Sequence, residues 1–161
     1  MSETSANLLP PGLDGSLSWL LGEAARAHLS AMRAVLGDIP HGPRGFEALC
    51  GAAHSSARNQ AELAKQLGVD RTVMVYLIDD LEKAGLVERT PDPNDRRSKL
   101  VRATPEGVKR LCELQKVTAA AEAELLSDLS PAEAELLRSL LQRVAARAAR
   151  YDQVHDCKGG C

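Results

Sequence analysis

The chain has 161 residues, of which 26% are charged, 44% hydrophobic and only 2% aromatic. This suits one globular domain with an appended helical arm, and it excludes a disordered chain and a two-domain cofactor enzyme. The formal net charge of -2 argues by itself against a nucleic-acid partner, although a compact basic patch can be offset by acid elsewhere in a chain.

Ala and Leu dominate the apolar residues, so helices are expected to carry the core. No apolar run approaches the roughly 18–20 residues of a membrane span, and the N-terminus lacks a basic stretch followed by an apolar one. A cytoplasmic protein with no membrane partner is expected. Cys50, Cys112, Cys157 and Cys161 are too few for a disulfide framework, and reduced thiols are the default.

Residues 1–12, with Pro10, Pro11 and Gly12, read as a loose arm. From about Asp14 to Leu36, apolar residues recur at three and four: Leu17, Leu20, Leu21, Ala24, Met32 and Leu36, with the half-apolar His28. Gly37 and Pro40 end this first helix, and Pro43 opens a second running to about Ala53, with Phe46, Leu49 and Cys50 on its apolar side. The polar run from His54 to Arg58 reads as a loop. Asn59 followed three residues later by Glu62 is a capping box that starts a short helix, Gln60 to Leu67. Gly68 suits a tight turn, Val69 a buried turn position, and Asp70 caps a helix from Arg71 to Ala84 that buries Met74, Leu77, Ile78 and Leu81. Gly85 stops it. Two helices joined through such a turn form a helix-turn-helix.

Leu86 to Arg89 and Lys99 to Ala103 read as strands flanking a charged, turn-rich tip, Thr90 to Ser98. Thr104-Pro105 starts a long helix reaching about Ser127, with Val108, Leu111, Leu114 and Leu125 inward. Ser130-Pro131-Ala132-Glu133 starts the last helix, which runs to about Tyr151 through Leu136, Leu137, Leu140, Leu141 and Val144. Residues 152–161 read as a short polar tail. The fold class expected is mainly α with a small β-hairpin wing: a winged helix-turn-helix over about 43–104 within a domain spanning 13–151.

A helix fits the major groove of B-DNA, where every base pair shows a distinct pattern, and a basic hairpin tip can reach phosphates or the minor groove beside it. The segment from Arg89 to Arg110 is locally basic, holding Arg96, Arg97, Lys99, Arg102 and Lys109 against Asp92, Asp95 and Glu106. The reading helix offers Arg71, Thr72, Val73, Val75 and Tyr76: a cation for guanine or phosphate, a hydroxyl, and apolar surface for a thymine methyl. Asn59 and Gln60, at a helix start, suit a phosphate. Asp79, Asp80 and Glu82 read as a solvated face.

The stretch from Gln60 to Thr72, then Leu81-Glu82-Lys83-Ala84-Gly85-Leu86-Val87-Glu88-Arg89, resembles the MarR family of winged-helix regulators. So does the wing Asp92-Pro93-Asn94-Asp95-Arg96-Arg97 leading to Ala103-Thr104-Pro105-Glu106-Gly107. The resemblance covers about 15–150 in helix order, with motif-level similarity over about 60–110. It implies a DNA-binding transcription regulator, not an enzyme, most simply a repressor released from a pseudo-palindromic operator by a small ligand. It implies that Asp95 holds Arg97 in an ion pair while Arg97 enters the minor groove. It also implies that helices over about 14–37 and 105–151 build a homodimer, with a small aromatic effector bound between them and the wing. Candidates for that contact are Trp19, His28, Met32, Phe46 and His54, each weighed against an ordinary core or surface role. The chain departs from the family in Val75-Tyr76, where many members carry Thr-Arg, in the acidic Asp79-Asp80, and in Ala103, where a Leu is usual.

Cys50 and Cys112 read as packed and inert. Cys157 and Cys161, with His155 nearby, offer an oxidisable pair or three ligands of a soft metal. A structural zinc site normally needs four, so no metal or cofactor is expected, and two tail thiols without a role is the plainer reading. A thiol- or metal-responsive regulator stays open as an alternative, as does a protein-interaction module that does not bind DNA. A thiol-active enzyme lacks a positioned base or a Gly-rich cofactor loop.

Overall fold

The structure, a computed structural model, describes residues 9–54, 58–95 and 97–156. The chain divides into two compact units, Met1–Glu122 and Ala123–Cys161. In the first, α1 spans Leu17–Val35, one turn shorter at its start than expected, because the Ser16 side chain caps it by accepting from the Trp19 N–H at 3.4 Å. Only Met32 of α1 is buried, while Leu17, Leu20, Leu21 and Leu29 lie exposed. The chain then turns through Ile39, buried, and the left-handed His41 and Gly42 into α2, Pro43–His54. Gly45 is obligatory there, since a Cβ would lie 1.8 Å from the Pro40 carbonyl oxygen.

α3, Gln60–Leu67, and α4, Arg71–Lys83, start where the caps place them. The Asn59 Oδ1 accepts from the Glu62 N–H at 2.9 Å while the Glu62 carboxylate accepts from the Asn59 N–H at 3.1 Å. Gly68 adopts φ 60 at the turn, where Val69 is half-buried. Met74, Leu77, Ile78 and Leu81 form one stripe at helical spacing and close over Leu49 and Leu63, making the centre of the core with Val87 and Val101.

Among the described residues the sheet has three strands, one more than the expected hairpin. β1 (Arg58–Asn59) pairs antiparallel with β3 (Lys99–Ala103), which pairs antiparallel with β2 (Val87–Pro91), in the order β1-β3-β2. The expected loop therefore ends in a two-residue strand. β2 starts one residue later than expected and continues to Pro91, which is tolerated because β2 is an edge strand.

α5, Pro105–Leu125, is held against the end of the hairpin. The Thr104 Oγ1 donates to the Gly85 carbonyl at 2.6 Å and accepts from the Gly107 N–H at 3.0 Å. Gly107 lets this approach happen, since a Cβ there would sit 1.9 Å from the Leu86 carbonyl oxygen. Gly107, Leu111, Leu114 and Thr118 make the buried stripe. Val108 and Leu125, expected inward, are exposed. Val108 lies about 100° round the helix from Gly107, off the stripe. Leu125 continues the stripe past its covered part.

In the second unit, α6 runs Pro131–Asp156 behind the expected capping box. The Ser130 Oγ donates to the Glu133 carboxylate at 2.7 Å, and that carboxylate also accepts from the Ser130 N–H at 2.8 Å. The helix passes the expected end at Tyr151 because no Gly or Pro interrupts the Ala- and Arg-rich run before Gly159. Leu136, Leu140, Leu141 and Val144 are exposed along it. Among the described residues no helix is long and apolar enough to cross a membrane.

Candidate nucleic-acid interface

The buried stripe of α4 fixes what its opposite side presents. With Met74, Leu77, Ile78 and Leu81 turned into the core, Arg71, Thr72, Val73, Val75 and Tyr76 are left exposed, Tyr76 at 61%. Asp70 starts the helix by accepting from the Thr72 N–H at 2.7 Å, and that bond, with others from Thr72, Val73 and Arg71, holds its carboxyl below the usual range. The sequence-predicted reading surface is therefore presented as one exposed face on a helix packed tightly behind.

The wing tip folds on its own aspartates. The Asp92 carboxylate accepts from the Asn94 N–H at 2.8 Å, and the Asp95 carboxylate accepts from the Arg97 N–H at 2.9 Å. The Ser98 N–H reaches the Asp95 carbonyl at 2.9 Å, and the Asp92 N–H reaches the Ser98 carbonyl at 3.1 Å. Asp95 thus grips the Arg97 main chain, and among the described residues no ion pair joins the two side chains. The pairing implied by the family resemblance is replaced by an Asx turn, in which the aspartate satisfies a main-chain donor two residues on. Arg97, Lys99 and Arg102 stand exposed. Arg96 lies outside the described residues.

The acidic face of α4 is not simply solvated. Asp80 pairs with His41 at 2.9 Å and with Lys83 at 2.9 Å, and these two partners, Lys83 first, hold its carboxyl below the usual range. Asp79 and Glu82 both bind Arg89 on β2, at 2.5 Å each, and the same guanidinium donates to the Gln60 side-chain oxygen at 3.1 Å. Sequence reading placed Gln60 on a phosphate and gave Arg89 no role beyond local charge. The signal for Arg89 in the sequence is its place at the end of the family-like stretch Leu81–Arg89.

The effector candidates differ in burial. Met32 is 5% exposed and belongs to the core, and Phe46 packs against that core. Trp19 and His28 are half-buried on α1, and His54 is exposed with its Nδ1 3.2 Å from the Cys50 carbonyl. Cys50 is half-buried and its thiol is pushed up in pKa, by burial first and then by Glu47, which suits an inert residue. Cys112, expected packed, is exposed, because it faces away from the Leu111–Leu114 stripe. Cys157 and Cys161 lie outside the described residues. Among the described residues no cluster of His, Cys, Asp and Glu could hold a metal ion.

Residues 43–99 match the model of the MarR family. A putative transcriptional regulatory protein for the hcr operon of Thauera aromatica is 33% identical over 92 residues, 57% of this chain and 55% of that protein. The chain thus spans about half the length of this curated relative. Among solved structures, a MarR-family transcriptional regulator from Rhodococcus sp. RHA1 superposes with a TM-score of 0.77 at 29% identity, covering 84% of this chain and 96% of that one. The transcriptional repressor CouR bound to a 23-mer DNA duplex superposes at 0.76 with 30% identity, covering 85% and 98%. CouR from Rhodococcus jostii RHA1 bound to p-coumaroyl-CoA superposes at 0.73 with 30% identity, covering 84% and 96%.

Proposed function

This chain belongs to the MarR family of transcriptional regulators, and on that premise we propose that it is a homodimeric repressor which leaves a pseudo-palindromic operator when a small aromatic effector binds. The observation that carries the reading is the exposed face of α4, Arg71, Thr72, Val75 and Tyr76, set on a core-packed helix next in the chain to a wing bearing Arg97 and Lys99. α4 enters a major groove. The wing grips the flanking minor groove or its phosphates, with Arg96, Arg97 and Lys99 as its cations and Asn59 and Gln60 at a neighbouring phosphate. Two copies place two reading helices in successive half-sites, about 34–36 Å apart. Duplex DNA as target carries a cytoplasmic location with it.

Support for the dimer comes from the terminal helices, residues about 14–37 and 105–151 in sequence. Leu17 and Leu21 on α1 and Leu140, Leu141 and Val144 on α6 expose apolar surface that is expensive to leave in water. Support for the effector comes from CouR, solved in one structure with a DNA duplex and in another with p-coumaroyl-CoA. Of the candidates in this chain, Trp19, His28, Phe46 and His54 retain accessible surface. A ligand that favours a dimer of different lobe spacing by a few kcal/mol is enough to release DNA.

Genome-wide mapping of bound DNA, followed by anisotropy on the recovered duplex, tests the reading. Arg97→Ala is expected to weaken binding by at least about 1 kcal/mol with an unchanged circular dichroism melt. A wild-type protein that binds no recovered duplex would sink the regulator's DNA contact, and an unaltered affinity for the variant would remove the wing.

A further inference from the structure

Arg89 sits at the meeting of three elements. Its side chain is 17% exposed. Nη1 donates to the Glu82 Oε2 at 2.5 Å, while Nη2 donates to the Asp79 Oδ1 at 2.5 Å and to the Gln60 Oε1 at 3.1 Å. Its main-chain N–H donates to the Glu82 Oε1 at 3.0 Å. The partners are the last part of α4 and the first residue of α3, and Arg89 itself belongs to β2 of the wing. A planar guanidinium with donors in a fixed fork can hold three acceptors in one geometry, which a lysine ammonium on a flexible stem cannot. Isolated surface ion pairs contribute little, but a largely enclosed cation shared by two carboxylates and an amide is not of that kind.

Two features give this tie a purpose. Thr72, Tyr76, Asp79 and Lys83 recur at four, three and four, so Asp79 shares the outward stripe of the reading face. A bare carboxylate there opposes the phosphates of any duplex that Thr72 and Tyr76 approach, and Arg89 neutralises it. The joint between α4 and β2 also passes through Gly85 at φ 72, a sharp left-handed turn after which Arg89 ties the strand back to the helix.

We propose that Arg89 is the positioning residue of the DNA grip: it fixes the wing at one angle to the reading helix, so that Arg97 and α4 engage neighbouring grooves in register, and it masks Asp79 and Glu82. The inference rests on the proposed DNA reading and deepens it. It also accounts for the acidic Asp79 in a helix that meets DNA, because that carboxylate is already spent on holding the wing.

The test is a double-mutant cycle on the full chain, read by fluorescence anisotropy on the recovered operator duplex, with circular dichroism melts on each variant. Arg97→Ala in the wild-type background is expected to cost about fivefold or more in affinity. In an Arg89→Gln background it is expected to cost less than about twofold, because a misplaced wing has little contact left to lose. Arg89→Lys restores the charge but not the fork, and the Arg97 effect should stay attenuated. An Arg97→Ala loss of equal size with and without Arg89 overturns the proposal, since a purely structural residue lowers the melting temperature without changing that ratio. If Arg89→Gln fails to fold, Asp79→Asn and Gln60→Ala replace it in the cycle, and an undiminished Arg97 effect in both overturns the proposal equally. Wild-type protein that binds no duplex would instead defeat the DNA reading itself, a result distinguishable from an intact complex with uncoupled Arg89 and Arg97.

Discussion

The winged lobe and α6 use the same kind of residue to opposite ends. In the lobe, Leu49, Leu63, Leu77, Ile78 and Leu81 are closed off from water by three helices and a small sheet. In α6, Leu136, Leu140 and Val144 stand at 57%, 43% and 61% exposure. Both segments show a regular apolar stripe in sequence, so the stripe alone does not say whether the chain covers it. Coverage depends on whether enough elements converge on one centre. The lobe has four short elements around α4, whereas α6 is a single long helix whose stripe offers more apolar surface than its own unit buries. The lobe is a structure that completes itself, and α6 leaves its stripe exposed.

The largest expected effect therefore lies in the lobe. Leu81→Ala removes a side chain with no solvent exposure and is expected to cost about 2–5 kcal/mol in urea unfolding. Leu140→Asp combined with Val144→Asp should leave that unfolding transition nearly in place but convert a dimer to monomer in sedimentation at micromolar protein. Equal losses of unfolding stability for the two, with no change in mass, would erase the contrast. Glycines give a finer version of it. Gly107→Ala meets the Leu86 carbonyl at 1.9 Å and should destabilise by about 1–3 kcal/mol. Gly22→Ala on α1 meets nothing within 4 Å and should stabilise by about 0.5–1 kcal/mol, since it gains helix propensity at no packing cost. Thermal melts of the two variants on either side of wild type would bear this out, and a Gly107→Ala melt at or above wild type would show that α5 does not rest on Leu86 as described.

Local signals made the lobe legible. The Asn59–Glu62 box, the Asp70 cap, Gly68 and the Ser130–Glu133 box act within four residues, so the boundaries of α3, α4 and α6 could be read at their starts from the letters alone. β1 was not legible, because Arg58 and Asn59 carry no strand pattern and become a strand only by lying beside Val101 and Leu100. The exposed Val108 and Cys112 were missed for a related reason: a Leu- and Ala-rich helix has several near-equal apolar directions, and tertiary packing chooses among them. At the candidate interface, α4's outward residues followed directly from its inward ones. Arg89 did not, since its partners lie 7, 10 and 29 residues away and only the folded chain brings them together. Resemblance implies a side-chain ion pair between Asp95 and Arg97, whereas in the folded tip the Asp95 carboxylate meets the Arg97 main-chain N–H, a donor two residues on that needs no long side chain to reach.

The smallest expected effect separates cap from charge at the start of the reading helix. Asp70 accepts from the Thr72 N–H, and this main-chain bond is the chief reason its carboxyl lies below the usual carboxylate range. A carboxylate whose pKa is lower folded than unfolded adds stability that is present above its unfolded value and fades as the pH drops through its folded value. Asp70→Asn keeps an oxygen for the cap but removes the negative charge from the positive end of the helix dipole. The variant should therefore melt slightly below wild type at neutral pH, with the gap closing as the pH falls below the usual carboxylate range. A gap that persists unchanged into that acid range would mean that Asp70 acts through shape alone. The exposed N-terminal half of α4 would then keep its place by virtue of the buried Met74–Leu81 stripe, with no help from charge at its cap.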